Sequence, residues 1–502
     1  SFEPSLLTPY SGHRMVAGGF QVGDPNFVRH KNIEVAKADA WRDERLPHGL
    51  RAQTLAIAER LGYDTSAMPA SRPSHASPAP PSAAVVGQAE PRALAGAAAM
   101  GGMDLERDAA LSLPSLSPGS ASPEGPPRAL FLTGATGFLG AFLLRALLER
   151  TAATIHCLVR ARDEEHAFGR LRGNLERYGL WRASDASRLR PVPGDLCAAQ
   201  LGMAADSYRS LSREVDTVVH GAAQISWLQP YRQLFATNVE GTRRLLEFAG
   251  AGRVKPVHYV SSLGATLIRP FENTRMVAEV TAKSGLGTES ILEMPLGYLE
   301  TKWVAHRMVG QARRQGLPVT LYGPGLICGH SQTGIDSLSD SQFIHALIKG
   351  STQLRCFPDG TGWRFVPVDA VAHNVVQCLL HPASTNQDIY LDSTTLLSPE
   401  LMVETLQRFG FDVRLVPYAA WRQKVLALAA SNDIGNALYG FTDVIYTLTP
   451  LRFLGQRHQL QWYLENGALP EELRLLLEPR AHIQPALLHN MVDYYVRTGA
   501  MP

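Results

Sequence analysis

Tyr298 and Lys302 stand four apart in Tyr298-Leu299-Glu300-Thr301-Lys302, so a helix there presents both on one face. A free tyrosine titrates near about 10 and moves a proton poorly at neutrality. An ammonium one turn away favours the phenolate and is expected to lower that value, which makes a general acid–base pair. Upstream, an apolar run ends in Tyr259-Val260-Ser261-Ser262, and the Ser262 hydroxyl would add a second hydrogen bond to a reacting oxygen. The chain has seven lysines and this single Tyr-x-x-x-Lys. Alone it would read as a surface coincidence; a glycine-rich turn upstream gives it a context.

That turn is Leu132-Thr133-Gly134-Ala135-Thr136-Gly137-Phe138-Leu139-Gly140, between an apolar run and an apolar helical pattern. It reads as strand, tight turn and helix. Gly134 and Gly137 would let the backbone pass close to a pyrophosphate, and Gly140 would let the helix pack on its strand. The free N–H groups and positive end of the helix would face the phosphates. The next strand ends Cys157-Leu158-Val159-Arg160, and Arg170 follows on a helix. Arginine there suits a 2′-phosphate through bidentate charge-assisted bonds, so NADP is favoured over NAD. Arg162 and Arg172 read as solvated surface. Gly194-Asp195-Leu196 follows the third strand and could set a carboxylate against the adenine amino group, although such a turn is common. His220-Gly221-Ala222-Ala223 closes the fourth strand with small residues where a cofactor could lie against the backbone. His220 has no second histidine or carboxylate spaced to make it a base or ligand.

The elements that must hold these residues follow from the alternation after residue 128. Candidate strands at 129–133, 154–159, 190–193, 216–219, 256–260 and 318–322 alternate with helical patterns such as 141–150, 163–178 and 231–250. The expected fold is α/β: a Rossmann-type doubly wound parallel sheet with a smaller, mostly helical C-terminal substrate lobe. The expected divisions are an N-terminal segment of unknown role (1–66), an Ala/Pro/Ser-rich linker and lead-in (67–127), a cofactor-binding domain with the catalytic residues (128–334), and the C-terminal lobe (335–502), with one short strand near 388–391. Within 1–66, Leu50 to Leu61 has the spacing of an amphipathic helix. Phe343, Leu347, Trp421 and Val425 read better as core than as substrate wall.

At 502 residues, 45% hydrophobic and 19% charged, the chain has ordinary globular composition. A net charge of +2 gives no reason to expect nucleic acid or an anionic membrane as partner. No apolar stretch has the length of a membrane span. The five cysteines lack Cys-x-x-Cys spacing, so neither disulfides nor a metal are expected. Without a signal peptide, a cytoplasmic setting is expected. The chain opens at Ser1 rather than Met, as a piece of something longer would.

Together these residues resemble the extended short-chain dehydrogenase/reductase superfamily. In detail they are similar to the thioester reductase domains that end nonribosomal peptide synthetases, polyketide synthases and carboxylic acid reductases. The likeness runs from about 104 to 500: Asp104-Leu105-Glu106, the glycine turn, Cys157 to Arg160, His220 to Ala223 with Trp227 and Tyr231, Thr237-Asn238-Val239, Gly297 to Trp303, Pro324-Gly325-Leu326-Ile327-Cys328-Gly329-His330-Ser331 with Thr333-Gly334, and Val366-Pro367-Val368-Asp369. The last two stretches are the more specific. The resemblance implies NADPH-dependent reductive release of an acyl or peptidyl thioester held on a carrier protein's phosphopantetheine arm, giving an aldehyde or, with a second hydride, an alcohol. It implies a monomeric domain of a larger synthase. Catalysis would rest on Ser262, Tyr298, Lys302 and Asn238, with Lys302 holding the nicotinamide ribose and Asn238 positioning the lysine through a water. Cofactor contacts would come from Thr133, Gly134, Thr136, Gly137, Phe138, Leu139, Gly140, Arg160, Arg170, Asp195, Leu196, Ala222, Ala223, Asn238, Ser261, Tyr298, Lys302, Pro324, Gly325 and Ile327. Two departures stand out. Position 323 is Gly where the family usually has Arg, which is expected to loosen the pocket or the cofactor contacts there, and Ser262 replaces a common Thr while keeping the hydroxyl. Rival readings are a fatty acyl-CoA reductase, an NAD-dependent sugar-nucleotide epimerase or dehydratase, and a silent NADP-binding module.

Overall fold

The structure is a computed structural model and describes residues 105–113, 125–227, 229–267, 297–339, 342–359, 365–393, 397–442, 445, 469–477 and 485–501. All belong to one compact unit, Asp104–Pro502. The 1–66 segment with its expected helix at 50–61, and the linker to 104, lie outside the described residues.

Strand β1 (Ala129–Thr133) is buried at every position. Its sequence, ALFLT, is nearly all apolar, as a strand covered on both faces requires. Around it run β2 (Thr154–Val159), β3 (Leu189–Pro193), β4 (Thr217–His220), β5 (Val257–Val260), β6 (Val319–Pro324) and β10 (Asp388–Leu391), in the order β10-β6-β5-β4-β1-β2-β3. Every pairing in this sheet is parallel. Thr133 pairs with Leu158 and His220, His220 with Tyr259, and Val260 with Tyr322. One edge of the sheet therefore collects the residues that follow β1, β2, β4 and β5. Between β1 and β4 the strand order reverses, and the crevice there is where such sheets take a ligand.

Besides two short helices, Leu105–Asp108 and Glu471–Leu476, the helices in chain order are α1 (Phe138–Arg150), α2 (Glu164–Arg177), α3 (Ala205–Glu214), α4 (Tyr231–Phe235), α5 (Gly241–Gly250), α6 (Gly297–Arg314), α7 (Phe343–Gln353), α8 (Val368–Leu379), α9 (Pro399–Arg408), α10 (Tyr418–Ser431) and α11 (Pro485–Arg497). Asp163 caps α2 by accepting from His166 N at 2.7 Å, and Ser398 caps α9 by accepting from Leu401 N at 3.1 Å. The helical pattern expected over 231–250 is interrupted: a π-helical turn, Ala236–Glu240, joins α4 to α5. No helix among the described residues is long and apolar enough to cross a membrane.

Two elements cross the expected boundary at 334. Strand β10 pairs with β6 as the sheet's last strand, and α8 puts Val375 and Val376 into one core cluster with Leu143 and Leu147 of α1. The apolar face of α1 needs a cover, and the chain supplies it from beyond 335. That region is also less helical than expected, because β7 (Leu326–Cys328) pairs with β9 (Phe365–Pro367) and β8 (Cys356–Asp359) with β11 (Arg414–Pro417). Phe343, Leu347, Trp421 and Val425 are buried core.

The lead-in segment 105–113 lies along α6. Gln311 donates to Ala109 O and accepts from Leu111 N, both at 2.9 Å. Gln315 repeats the pattern one step on, donating to Leu111 O at 2.9 Å and accepting from Leu113 N at 2.8 Å. Two side-chain amides thus do what a neighbouring strand would do. Tyr231 Oη donates to Asp108 Oδ2 at 3.0 Å, tying the same segment to α4.

Candidate active site

At the glycine turn, Gly134 has φ +85°, and a Cβ there would sit 2.7 Å from Ala222 N. A Cβ on Gly140 would sit 1.9 Å from Gly134 O. The first position needs glycine for conformation and space, the second for helix–strand packing. Helix α1 starts at the N-cap Gly137 with no side-chain cap and no acidic residue in its first turn. Its leading N–H groups are left for an anion. Asn174 of α2 braces the turn from behind, donating to Ala135 O at 3.0 Å and Gly137 O at 3.1 Å. Sequence reasoning missed Asn174; the one signal was an asparagine inside a helix, where it is a poor former. The residues fit a dinucleotide's pyrophosphate: a cradle that a Cβ would fill, backed by uncapped N–H groups.

Around that cradle stand the other expected contacts. Thr136, Phe138 and Leu139 are half-buried, and Phe138 packs on Phe142 and Tyr178. Arg160 and Arg170 are both exposed at the end of β2, and Arg170 Nη1 donates to Arg160 O. Asp195 sits in a tight loop: its Oδ1 accepts from Cys197 N at 2.9 Å, its N–H donates to Leu201 O at 2.8 Å, and Leu196 is buried under Gly241. Ala222 and Ala223 line the loop after β4, half-buried. Ser261 is buried just past β5, its hydroxyl beside the Tyr259 phenol. After β6, Gly325 N donates to Leu391 O at 2.9 Å, Gly325 packs on the Asp392 carboxylate, Pro324 is buried, and Ile327 is half-buried on β7.

The catalytic candidates converge from three elements. Ser262 opens the short turn after β5, and its Oγ accepts from Gly264 N at 3.2 Å. Gly264 lies against Leu299, where a Cβ would meet Leu299 Cδ2 at 2.7 Å. The serine turn therefore packs on the residue next to Tyr298. The first turn of α6 carries Tyr298, half-buried, and one turn on comes Lys302, 3% exposed. Lys302 Nζ donates to Val260 O at 3.0 Å and lies 5.1 Å from the centre of the Tyr259 ring. Asn238 sits in the π turn, 2% exposed. Its Oδ1 accepts from Gln224 N at 2.8 Å, while its Nδ2 donates to Gln224 O and to Thr301 Oγ1, both at 3.0 Å. Thr301 Oγ1 in turn donates to Tyr298 O at 2.7 Å. Gln224 and Thr301 are positioning residues that the sequence did not single out. Asn238 grips α6 directly through Thr301, a different contact from the expected link to the lysine.

Two expectations are corrected. Burial pushes the Tyr298 phenol above the ordinary tyrosine value rather than below it, and burial brings the Lys302 amine down to about 7. The lysine is itself desolvated and tied to Val260 O, so its charge does not dominate the tyrosine. Position 323 is not loosened by its glycine. The Tyr390 ring, its partner in the β10–β6 ladder, lies over it, with Cδ1 2.6 Å from where a Cβ would stand. His220 is a buried imidazole held at about 3 by burial and the Lys302 charge.

The fold defines a class, a Rossmann-type dinucleotide-binding protein, and Ser262, Tyr298 and Lys302 gather near the carboxyl ends of its strands. An NAD-binding family described as male sterility protein matches residues 132–375. A linear gramicidin synthase polypeptide of Brevibacillus parabrevis is 35% identical over 390 residues, which is 75% of this chain and 7% of that protein. L-2-aminoadipate reductase of Schizosaccharomyces pombe is 32% identical over 322 residues, 62% of this chain and 22% of that protein. The chain thus spans less than a quarter of either relative. The crystal structure of the terminal R domain from the myxalamid PKS-NRPS biosynthetic pathway is 30% identical with a TM-score of 0.62, over 79% of this chain and 98% of that one. The chain belongs to the family of terminal reductase (R) domains of nonribosomal peptide and polyketide synthases.

Proposed function

We propose that this domain reduces an acyl or peptidyl thioester, carried on the phosphopantetheine arm of a carrier protein, to an aldehyde with NADPH. One observation carries the reading. The serine turn packs on the residue beside Tyr298, and Lys302 and Asn238 tie the same helix to the edge that holds the dinucleotide cradle. NADPH would be held by the glycine turn at its pyrophosphate and by Arg160 and Arg170 at its 2′-phosphate. When bound it supplies a hydride to the thioester carbonyl carbon. Ser262 and Tyr298 donate hydrogen bonds to the oxygen as charge grows there, and Tyr298 gives up its proton to it. The C–S bond of the resulting thiohemiacetal then breaks, the thiol leaves, and an aldehyde remains. A raised phenol value keeps Tyr298 protonated at neutral pH, as a donor must be.

The test follows oxidation of reduced nicotinamide with acyl-pantetheine and acyl-CoA thioesters, NADPH beside NADH, and identifies the product. Aldehyde formed by the intact chain, and lost in Tyr298→Phe while NADPH still binds, supports the reading. NADPH binding without reduction of any thioester overturns it and brings forward the sugar-nucleotide and silent-module readings.

A further inference from the structure

A line of buried polar groups runs from the glycine turn to the catalytic helix. Thr133 Oγ1 lies 2.7 Å from His220 Nδ1, and His220 Nε2 lies 3.2 Å from Thr242 Oγ1. Thr242 Oγ1 donates to Asn238 O at 2.7 Å. Asn238 and Thr301 complete the line to Tyr298 O. Thr133, His220, Thr242, Asn238 and Thr301 are each no more than 2% exposed.

The direction of each bond follows from counting protons. A threonine hydroxyl has one proton to give. That of Thr242 goes to Asn238 O, so Thr242 can only accept from His220, and Nε2 carries the ring proton. The imidazole stays neutral near pH 7 because burial and Lys302 disfavour its cation. Its Nδ1 is then an acceptor, and Thr133 must donate to it. The Thr133 oxygen remains free to accept from Ala222 N, 3.3 Å away. The Thr301 proton goes to Tyr298 O, which leaves Thr301 to accept from Asn238. Each hydroxyl gives its proton once. A cation at His220 would point a second N–H, on Nδ1, at Thr133 Oγ1, which would then have to accept and lose the acceptor for its own proton.

We propose that His220 is a positioning residue, the joint through which the cofactor cradle at Thr133 and Ala222 sets the placement of the helix bearing Tyr298 and Lys302. The proposal rests on the reading of Tyr298 as proton donor. Movement of the Thr133–Gly134 turn as a dinucleotide seats is passed through one ring to the π turn and so to the first turn of α6. A leucine could fill the same space but would cut the line at both ends.

The experiment uses the full chain, with kcat and KM for an acyl-CoA thioester, NADPH affinity and thermal unfolding measured for Thr242→Val, His220→Leu, the double variant and His220→Gln. Each single variant is expected to lower kcat about tenfold with the thioester KM nearly unchanged. The double variant should be no worse than the poorer single one, because both cut one line. His220→Gln, which returns an amide N–H toward Thr242, should recover part of the loss. In the unaltered chain, 15N NMR of histidine should show His220 as the neutral Nε2–H tautomer, with a shift on adding NADPH. Folded single variants with full kcat, multiplied losses in the double variant, or an Nδ1–H tautomer would overturn the proposal. Should the unaltered chain reduce no thioester at all, the proposed function falls instead, while the tautomer and its response to NADPH still judge the coupling.

Discussion

Lys302 Nζ donates to the carbonyl of Val260, two residues before Ser262, at 3.0 Å. That bond pins the amine at the end of β5, where burial brings its pKa to about 7. Lys302 is therefore charged below about pH 7 and loses its proton above it. If the charged form supports Tyr298, kcat/KM should fall about tenfold per pH unit above that point. Lys302→Arg keeps a cation throughout, so its profile should lose this limb even if its activity is lower. An identical limb in both proteins would show that another group titrates.

Tyr390 and Gly323 make a second prediction. A Cβ at 323 would stand 2.6 Å from Tyr390 Cδ1 and 3.0 Å from its Cε1. Gly323→Ala should cost about 1–3 kcal/mol by overpacking, and Tyr390→Ala in the same chain should recover much of it. Denaturant midpoints for the two single variants and the double give the coupling. Additive effects would mean that the ring moves aside freely.

The proposed preference for NADPH rests on Arg160 and Arg170, which meet at the end of β2 through the bond from Arg170 to Arg160 O. Replacing both with Ser should weaken NADPH about tenfold or more and leave NADH little changed, since only the 2′-phosphate loses its charge-assisted partners. The ratio of kcat/KM for the two nucleotides is the readout. An unchanged ratio would place the 2′-phosphate elsewhere.

Much of this was legible in the sequence because it is local. ALFLT before Gly134 reads as a covered strand, the glycine spacing as a turn into α1, and Tyr298 with Lys302 as one helix face. The core role of Trp421 and Leu347 was legible for the same reason. What was not legible depends on partners distant in the chain or on a break in period. A 3.6-residue pattern over 231–250 gives no sign that Ala236–Glu240 widens into a π turn, yet that turn aims Asn238 inward. Asn174 serves a turn nearly forty residues upstream, and His220 finds Thr133 and Thr242 only once β1, β4 and α5 are packed. The Tyr298 shift went the unexpected way because spacing shows a lysine nearby but not how deeply both groups are buried.

The glutamine ladder makes the lead-in part of the fold. Gln311 and Gln315 each hold two backbone groups of residues 109–113, two hundred residues away in sequence. Each Gln→Ala change should cost about 1–2 kcal/mol, the net worth of two partly buried hydrogen bonds. Protease cleavage near residues 105–113 should speed up in the double variant. Unchanged unfolding and cleavage would show that buried Leu105, Ala109, Leu111 and Leu113 hold the segment without the amides.

Asp388 opens β10 and should make stability depend on acid. Burial alone would raise its pKa, but the hydrogen bond from His306 and the charge of Arg313, 2.7 Å away, outweigh it and hold the carboxyl at about 2. An unfolded aspartate titrates near about 3.9. Between these values the unfolded chain takes up a proton that the folded chain does not, so stability falls as pH drops from about 4 to about 2 and is fully present above. Asp388→Asn should remove this part of the slope and cost about 1 kcal/mol at neutral pH, because the site is partly solvent-screened. Arg313 would keep its bonds to Val319 O and Gln387 O, so β6 and β10 should stay paired in the variant. Urea unfolding of both proteins at pH 3 and pH 7 checks it. The difference between them should shrink at the lower pH, and a constant difference would assign the acid sensitivity to another carboxylate.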